Sequence, residues 1–317
     1  MENMVNSKTK VLITGGLGNL GSWLTHHYCN LGYDVTVLTY RHRTLEFELP
    51  FKIITCDIST LSNCKAAITE YYDIIIHTAS MNDNFVEGYA ENAIIVNALG
   101  TRNILETIKD NPPKHFIYFS TFHVYGKYSG NISEETELLP NNDYGTTHLF
   151  AEYYVKQFHK NFNIPYSIIR LSNSYGCPKD YDSSKWYLIL NDLSKSAFKN
   201  DKIKLNGNGL AVRDFIWMGD VCNIIHKLTQ LESTNDTYNI SGEKSYTLLD
   251  VAEAVKEAYQ EYFNKPIEVE INTEDKSPPR EPIIISSSKI KQLVNYNAES
   301  HFKDEALQIF NFLKEEK

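Results

Sequence analysis

The first half of the chain alternates short β-branched apolar runs with longer amphipathic patterns of helical period. The runs predict six strands, at residues 10–14, 34–39, 51–55, 73–77, 115–119 and 166–171. Helices are predicted between them, at about 19–31, 61–71, 86–110 and 146–161. Strands and helices that alternate in this order form parallel pairs through right-handed crossovers. The sequence therefore predicts an α/β fold built on a doubly wound parallel sheet of the Rossmann type.

A glycine-rich turn joins the first predicted strand to the first predicted helix. It reads TGGLGNLG from Thr14 and carries glycines at positions 15, 18 and 21. Gly15 permits the tight turn, Gly18 lets the backbone approach a pyrophosphate, and Gly21 allows the helix to pack closely on the strand. The helix N-terminus that follows favours an anion. These features predict a dinucleotide-binding turn.

The composition excludes several other classes of protein. The 31 basic and 40 acidic side chains give a formal charge of -9, which argues against a nucleic-acid partner. No apolar run approaches the roughly 20 residues that span a bilayer, and the polar start does not resemble a targeting segment, so we expect a cytoplasmic protein without a membrane partner. The five cysteines form no CxxC pair, and the histidines form no metal-binding motif. We therefore expect reduced thiols and no metal site.

The glycine spacing TGxxGxxG resembles that of the short-chain dehydrogenase/reductase superfamily. Further segments resemble its extended branch, the sugar-nucleotide epimerases and dehydratases: residues 76–80 (IHTAS), 97–103 (NALGTRN), 120–126 (STFHVYG), 144–148 (YGTTH), 170–176 (RLSNSYG) and 213–216 (RDFI). The resemblance extends over nearly the whole chain. It implies an enzyme that binds a nicotinamide cofactor in its first lobe and a nucleoside-diphosphate sugar in a second lobe.

The resemblance assigns the cofactor site to the glycine turn, to the strand ends beside it and to two helices. The implied residues are Gly15, Gly18, Asn19, Leu20, Gly21, Thr39, Arg41, Asp57, Ile58, Thr78, Ala79, Ser80, Asn97, Tyr144 and His148. An acidic residue usually holds the adenosine ribose of NAD after the second strand, but Thr39, Arg41 and Arg43 occupy this stretch. Threonine can hydrogen-bond a ribose hydroxyl, whereas arginines suit the extra phosphate of NADP. We expect NAD, with NADP as the alternative.

The resemblance implies three catalytic residues, Thr121, Tyr144 and His148. Tyr144 would remove a hydroxyl proton as phenolate while hydride leaves the same carbon, and Thr121 would hydrogen-bond that hydroxyl. A free tyrosine titrates near ~10, so it needs a nearby cation to act at neutral pH. The family supplies this cation with a lysine four residues after the tyrosine, on the same helix face. Position 148 is a histidine instead.

A histidine at position 148 weakens the electrostatic support of Tyr144. Its reference pKa of ~6.5 makes it mostly neutral at pH 7. We therefore expect a dehydrogenase that is slow or has its activity shifted to higher pH. The alternative from another functional class is a catalytically decayed sensor that only binds NAD(P).

The residues after Thr121 narrow the reaction. In the 4,6-dehydratases of the family, acidic residues at these positions eliminate water, whereas this chain has Phe122 and His123. Phenylalanine cannot transfer a proton, and one histidine is a poor substitute for an acid–base pair. Dehydration is therefore disfavoured. Oxidation at carbon 4 of the sugar, giving a 4-keto sugar, is expected; a 4-epimerase or 4-ketoreductase is the alternative.

The resemblance also implies the substrate contacts. They are Thr121, Phe122, His123, Asn173, Arg213 and Arg280. Arg213 and Arg280 would hold the diphosphate, because the planar guanidinium suits phosphate oxygens. The resemblance further implies a GDP-linked heptose, a precursor of bacterial capsule or surface polysaccharide, as the substrate.

Two interleaved lobes and a homodimer are expected. Residues 1–176 and about 213–243 are predicted to form the NAD-binding Rossmann domain. Residues from about 177–212 and 244–317 are predicted to form a smaller, mixed α/β lobe, with helices at about 184–199 and 247–262 and from about 302 onward. The resemblance implies a dimer formed through the helices predicted at 86–110 and 146–161.

Overall fold

The computed structural model describes residues 8–41, 49–82, 88–180, 185–279 and 281–315. It has two compact units. Unit 1 comprises Met1–Gly126, Glu137–Arg170 and Ile224–Tyr238, and unit 2 comprises Lys127–Thr136, Leu171–Asn223 and Asn239–Lys317. The lobe boundaries predicted from the sequence assign residues 127–136, 171–176, 213–223 and 239–243 to the first lobe instead, and they stay a prediction.

The strands of the described residues are numbered in chain order. They are β1 (Lys10–Thr14), β2 (Asp34–Thr39), β3 (Phe51–Thr55), β4 (Ile74–His77), β5 (His115–Thr121), β6 (Gly130–Ile132), β7 (Tyr166–Leu171), β8 (Asn173–Tyr175), β9 (Ile203–Lys204), β10 (Val212–Trp217), β11 (Asp236–Ile240), β12 (Ser245–Thr247), β13 (Val269–Glu270) and β14 (Ile283–Ile285). The main sheet has the order β11-β7-β5-β4-β1-β2-β3. Strands β1 to β5 pair in parallel within it. The three-stranded sheet is mixed, because β10 pairs in parallel with β8 and antiparallel with β12, whereas the two-stranded pairs β13–β9 and β14–β6 are parallel.

The helices are numbered in the same way. They are α1 (Asn19–Asn30), α2 (Leu61–Ala67), α3 (Tyr89–Ala93), α4 (Thr101–Ile108), α5 (Asp143–Phe162), α6 (Ile189–Asn200), α7 (Met218–Thr229), α8 (Leu248–Phe263), α9 (Ser288–Lys291) and α10 (Phe302–Glu315). A π-helical segment, Ile94–Gly100, joins α3 to α4, and a 3-10 turn, Phe122–Tyr125, follows β5. The predicted α/β fold with a doubly wound sheet is confirmed.

Several predicted boundaries differ from the structure for local reasons. Helix α2 ends at Ala67 instead of 71, because Ile68 leaves the helical region at φ -101° and ψ 81°. Helix α6 starts at Ile189 instead of 184, since Leu188 is extended. The helix predicted at 86–110 contains the π-helical segment. The sequence analysis also missed β11, the outer strand of the main sheet next to β7.

Helix α5 begins three residues earlier than predicted. The Asn142 side chain caps it, because its Oδ1 accepts a hydrogen bond from the Gly145 amide at 2.8 Å. Asp143 in the first turn complements the helix dipole. The helix ends where Asn163 adopts a left-handed backbone at φ 56°. As a result, Tyr144 lies in the ordered first turn of the helix.

Each unit has its own apolar core. In unit 1 the core joins β1, β4 and β5 to α4 and α5, and its members include Leu12, Ile75, Phe116, Tyr118 and Val155. In unit 2 helices α6, α8 and α10 pack together. All five cysteines are buried and none forms a disulfide. In the part of the chain that the structure describes, no helix is both long and apolar enough to cross a bilayer.

Candidate active site

The glycine turn after β1 is tightly packed against the backbone of the sheet. Gly15 has a positive φ of 67°, and its amide donates a hydrogen bond to the Leu38 carbonyl at 2.7 Å. A Cβ at Gly15 would lie 2.8 Å from the Ala79 backbone, and one at Gly21 would lie 2.1 Å from the Gly15 oxygen. No side chain fits at either position without moving the backbone. The turn therefore has the form that the sequence analysis predicted for a dinucleotide-binding loop.

The start of α1 fits an anionic ligand. The helix begins after Gly18, which is extended and offers no side-chain cap, so the first amides of the helix are left for other acceptors. The first turn carries no acidic residue. Asn19 Oδ1 is buried and has no hydrogen-bond partner among the described residues. Amide donors and an unused acceptor at one helix end suit the pyrophosphate and hydroxyl groups of a dinucleotide. Leu20 follows in the same turn.

Other predicted cofactor residues lie at the ends of β2 and β3. Thr39 is buried, and its hydroxyl donates to the Arg41 carbonyl at 3.3 Å, while the Arg41 side chain is exposed. Asp57 Oδ1 accepts from the Ser59 amide at 2.9 Å. The buried Ile58 accepts a hydrogen bond from Asn103 through its carbonyl. Arg43 lies outside the described residues.

The segment after β4 is held by hydrogen bonds to its neighbours. The Thr78 hydroxyl donates to the Thr14 carbonyl at 2.7 Å, and the Ala79 amide donates to the Thr14 hydroxyl at 3.4 Å. Ser80 is exposed. The buried Asn97 accepts from the Met81 amide at 2.6 Å and donates to the Met81 carbonyl. Asn97 also donates to the Thr147 hydroxyl at 3.0 Å, so one amide ties this segment to α5.

The structure brings Tyr144 and His148 into direct contact. Their ring centroids are 4.6 Å apart and the rings are nearly perpendicular, one turn apart on α5. Thr121 ends β5, against which α5 packs, and it is 5% exposed. Its hydroxyl accepts a hydrogen bond from the His123 amide at 3.3 Å. The three predicted catalytic residues therefore lie on two elements of unit 1 that pack against each other.

His148 is buried and neutral. It is 2% exposed, and burial lowers its pKa to about 3, helped by the nearby His77 and His123. Its Nδ1 is 2.7 Å from the Tyr118 hydroxyl. Its Nε2 is buried and has no hydrogen-bond partner among the described residues. Position 148 thus supplies no cation to Tyr144, but it has one ring nitrogen available for a ligand.

The two residues after Thr121 have no acidic character. Phe122 is 3% exposed and packs against the His123 ring, with centroids 4.4 Å apart. The Asn142 amide donates to His123 Nδ1 at 3.4 Å. The His123 ring also meets the Tyr144 ring edge to face at 5.7 Å. His123 is therefore the one titratable side chain of this pair.

A buried ion pair lies on the same face of α5, one turn beyond His148. Arg170 on β7 donates to both carboxylate oxygens of Glu152, at 3.0 and 2.7 Å. The two side chains are 3% and 0% exposed. The Ser120 hydroxyl also donates to Glu152, at 2.6 Å, and Arg170 donates to the Tyr125 hydroxyl at 3.1 Å. Both carboxylate oxygens of Glu152 accept hydrogen bonds, so the ion pair anchors β5, β7 and α5 to one another.

The predicted substrate residues of unit 2 lie on two paired strands. Asn173 on β8 donates through its amide to the Asp214 carbonyl at 2.8 Å. Arg213 on β10 donates to the Val212 carbonyl at 2.8 Å and is half-buried. Strands β8 and β10 pair in parallel. Arg280 lies outside the described residues.

Asp214, next to Arg213, is a buried carboxylic acid. It is 0% exposed, and burial raises its pKa to about 7, although its Oδ1 accepts from the Gly242 amide at 3.0 Å. Because the folded state holds this proton more tightly, the folded state binds more protons than the unfolded state between pH 3.8 and about 7. The contribution of Asp214 to stability is therefore largest at low pH and falls as the pH rises to about 7.

Replacing Asp214 with asparagine removes this pH dependence while it keeps an oxygen for the Gly242 amide. When the pH is raised from 5 to 8, the free energy of unfolding in urea should fall less in Asp214→Asn than in the wild type. Asp250→Asn, at an exposed helix cap, is the control for a general charge effect. Equal losses in the wild type and in Asp214→Asn would contradict the assignment.

Unit 2 also contains a cavity that the sequence analysis did not find. Its volume is about 270 Å³, and its walls are partly apolar, from Ile189, Leu205 and Leu248. The polar side chains that line it include Asp192, Lys204, Asn206, Asn208, Asp275 and Ser277. Within the described ranges, no group of three or more histidine, cysteine or acidic side chains is arranged to hold a metal ion. The cavity suits an organic ligand with hydrogen-bonding edges.

Tyr118, the partner of His148, was not among the residues predicted from the sequence. The residue spacing could have indicated it. Residues 118 and 120 lie on one face of β5, and residues 148 and 152 lie on one face of α5. Tyr118 hydrogen-bonds His148, and Ser120 hydrogen-bonds Glu152. Two residues along a strand and four residues along a helix advance by a similar distance, roughly 6–7 Å, so both residue pairs can meet across the two elements.

Comparison with known proteins identifies the family of this chain. Residues 11–241 match the NAD dependent epimerase/dehydratase family. This match covers well over half of the chain, so the chain belongs to that family. NAD is accordingly the cofactor, as predicted. Its place at the glycine turn and the strand ends of unit 1 stays a prediction.

Individual relatives differ in their reactions. The chain is 29% identical over 277 residues to a dTDP-D-glucose 4,6-dehydratase of Dictyostelium discoideum, covering 78% of this chain and 61% of that protein. It is 26% identical over 313 residues to the uncharacterized UDP-glucose epimerase YtcB of Bacillus subtilis (strain 168), covering 93% and 95%. The fold is similar to that of UDP-glucuronic acid 4-epimerase from Bacillus cereus in complex with UDP-glucuronic acid and NAD, with a TM-score of 0.79, 22% identity and coverage of 98% and 100%.

Proposed function

We propose that the protein catalyses the NAD-dependent oxidation of carbon 4 of a nucleoside-diphosphate sugar and releases the 4-keto sugar. The observation that carries this proposal is the contact of Tyr144 with His148 beside the end of β5, where Thr121 lies. NAD, when bound, accepts the hydride. Tyr144 takes the proton of the carbon-4 hydroxyl, and Thr121 hydrogen-bonds that hydroxyl so that its hydrogen points to the base. His148 Nε2 would contact the ribose of the cofactor.

The residues after Thr121 favour oxidation over dehydration, even though one relative bears the name of a dehydratase. Elimination of water needs a second acid–base pair next to carbons 5 and 6 of the sugar. Phe122 offers no proton, and the Nδ1 of His123 already accepts a hydrogen bond from Asn142. The same Tyr144 and Thr121 also serve a 4-epimerase, in which the ketone is reduced again on its other face. Epimerase is therefore the second candidate, supported by the names of several relatives.

We infer that the substrate is linked to GDP and carries a heptose, a precursor of bacterial surface polysaccharide. In unit 2, Arg213 would hold the diphosphate, and the cavity of about 270 Å³ would take the base. Guanine presents an N1–H and a 2-amino group, which are donors, and the cavity offers acceptor oxygens on Asp192, Asn206 and Asp275. GDP is then expected to bind more tightly than UDP or dTDP in calorimetric titrations. Equal affinity for the three nucleotides would argue against guanine.

Product analysis separates the candidate functions. The full chain is incubated with NAD and with GDP-, UDP- and dTDP-linked sugars, including a GDP-heptose, while absorbance is followed and products are trapped with hydroxylamine. A trapped 4-keto sugar together with stoichiometric reduced nicotinamide supports the dehydrogenase. A sugar inverted at carbon 4 without net redox change identifies an epimerase. NAD binding without turnover of any sugar nucleotide identifies the sensor.

The neutral residue at position 148 predicts an unusual pH profile. His148→Lys introduces a cation beside Tyr144, so the phenolate forms at lower pH and the rate is expected to reach half its maximum about one pH unit lower than in the wild type. The measurement is kcat/KM between pH 6 and pH 10. The same half-maximal pH on the rising limb of both profiles would contradict the electrostatic role of this position.

An apolar surface on unit 1 supports the proposed homodimer. Ile94, Ile95 and Leu99 of the π-helical segment and Phe150 and Tyr153 of α5 are 39–55% exposed, and the two helices pack side by side. Exposed apolar groups on neighbouring helices favour association.

Charge at the centre of this surface is expected to separate the subunits. Leu99→Glu combined with Phe150→Glu should sediment as a monomer, because two desolvated carboxylates oppose association. Leu231→Glu, at another exposed leucine of unit 1, is the control and should leave the dimer intact. A wild-type monomer at micromolar concentration would refute the proposal.

A further inference from the structure

Tyr118 and His148 form a buried pair whose hydrogen bond determines which ring nitrogen carries the proton. The Tyr118 hydroxyl lies 2.7 Å from His148 Nδ1, and both side chains are 2% exposed. The Thr101 hydroxyl is a second polar neighbour of the Tyr118 oxygen, but the contact with His148 is the one that has normal hydrogen-bond geometry among the described residues. A buried hydroxyl that does not donate leaves its hydrogen unsatisfied, at considerable energetic expense. The Tyr118 hydroxyl therefore needs an acceptor, and His148 Nδ1 is the acceptor at normal hydrogen-bond distance.

The neighbouring hydrogen bonds are complete without the Tyr118 proton. The Thr101 hydroxyl donates to the Asn97 carbonyl at 2.5 Å. The Thr101 oxygen must then accept from His77 Nε2, at 2.9 Å, and His77 Nδ1 accepts from the Thr14 hydroxyl at 2.5 Å. Each of these groups uses its hydrogen within this chain of contacts. Thr101 therefore has no hydrogen left to donate to its neighbour Tyr118.

The Tyr118 ring is fixed in place. It belongs to the apolar core of unit 1, and the His77 ring packs against it with centroids 5.7 Å apart. Burial raises the pKa of Tyr118 well above its usual range, with the Glu152 carboxylate and Tyr144 adding to the effect, so the hydroxyl keeps its hydrogen. His148, faced by His77, His123, Tyr144 and Tyr118, is neutral. A neutral imidazole that accepts at Nδ1 carries its hydrogen at Nε2.

We propose that Tyr118 is a positioning residue that holds the neutral His148 in its Nε2–H form, so that position 148 donates a hydrogen bond to the cofactor ribose without carrying a charge. The two ring nitrogens point in nearly opposite directions, so the donor is directed away from β5, and Nε2 is the nitrogen that lacks a partner among the described residues. A lysine at position 148 would supply both a hydrogen-bond donor and a positive charge, whereas His148 held by Tyr118 supplies the donor without the charge. The inference rests on the proposed contact of His148 with the ribose.

The tautomer is directly observable by nitrogen NMR. In two-bond ¹⁵N–¹H correlation spectra of the ¹⁵N-labelled full chain, the His148 signals are assigned by their loss in His148→Gln. We expect Nε2 to show the shift of a protonated ring nitrogen and Nδ1 that of an unprotonated one. In Tyr118→Phe, the two forms should mix. A wild-type His148 that is protonated at Nδ1 would overturn the proposal without any activity measurement.

Cofactor affinity provides a second readout and separates the inference from the proposed function. Calorimetric titration with NAD, after removal of co-purified nucleotide, is expected to show affinity about three- to tenfold weaker in Tyr118→Phe, which corresponds to the loss of one well-oriented hydrogen bond. Tyr72→Phe removes a hydroxyl from the same core, where it faces Glu70, and should leave the affinity unchanged. If His148→Ala binds NAD like the wild type, the proposed ribose contact is wrong. If His148→Ala binds weakly and Tyr118→Phe binds normally, the role of Tyr118 is wrong.

A double variant distinguishes positioning from a general structural effect. Lysine has no tautomers, so Tyr118→Phe should not change NAD affinity when position 148 is already lysine. The comparison is His148→Lys with and without Tyr118→Phe. An equal loss of affinity in the histidine and lysine backgrounds would mean that Tyr118 acts through packing, and it would overturn the proposal.

Discussion

Tyr144→Phe is expected to reduce turnover of the sugar nucleotide by about 10²- to 10⁴-fold, the usual contribution of a positioned general base. The variant keeps the ring that packs edge to face on His148 and His123, so it removes the proton acceptor and little else. NAD affinity should change much less than the rate, because the glycine turn and the strand ends are untouched. The measurement is the initial rate of nicotinamide reduction under saturating cofactor, together with a calorimetric NAD titration of the same preparation.

Tyr154→Phe is the matched control for this experiment. Tyr154 lies on the same helix and packs against the apolar core of unit 1. Its hydroxyl has no role in the proposed reaction, so wild-type turnover is expected. Unchanged turnover in Tyr144→Phe would remove Tyr144 from the mechanism and favour the cofactor-binding sensor.

Glu152→Gln is expected to destabilise the protein by about 3–5 kcal/mol, the range found when one partner of a buried ion pair is removed. The glutamine amide would face the Arg170 guanidinium, donor against donor, where a carboxylate now accepts two hydrogen bonds. The remaining arginine charge is 3% exposed, and within the described residues Glu152 is the carboxylate that pairs with it. Urea unfolding followed by fluorescence and by circular dichroism measures the change.

Glu70→Gln is the control for the loss of a carboxylate at the surface of the same unit. Its partner Lys10 and Glu70 itself are each 38% exposed, so the expected change is below about 1 kcal/mol. Replacing both Glu152 and Arg170 with methionine should be less harmful than either single change, since no charge is then left unpaired. A change below about 1 kcal/mol in Glu152→Gln would contradict the anchoring role of the pair.

Most of the sheet was predictable because β1, β2, β4, β5 and β7 are almost fully buried and therefore appear in the sequence as largely apolar runs. The edge strand β3 is more exposed. Strands β1, β2, β3 and β7 have the predicted bounds. The glycine turn was predictable for a similar reason, since its backbone contacts with Ala79 and with itself tolerate no Cβ. Local steric constraints and the hydrophobic pattern thus predicted most of the secondary structure of unit 1.

The environment of His148 could not be read from its own segment. Its neutrality results from burial where α5 packs on β5, and its proposed proton position depends on Tyr118, thirty residues earlier in the chain. Such properties depend on which faces of β5 and α5 meet, and the hydrophobic pattern of either segment alone does not predict this. The cavity of unit 2 arises in the same way, because its walls come from segments around residues 189, 207, 248 and 277.

The spacing along α5 has a consequence for how this chain can vary in length. Tyr144, His148 and Glu152 follow one another at four-residue intervals, and β5 contacts the last two. Inserting or deleting one residue between 144 and 152 rotates the following side chains by about 100° around the helix axis. Such a change would separate the base from its neighbour or the carboxylate from its arginine. Functional homologues should therefore place their insertions and deletions before residue 142 or after residue 163, where the helix is capped.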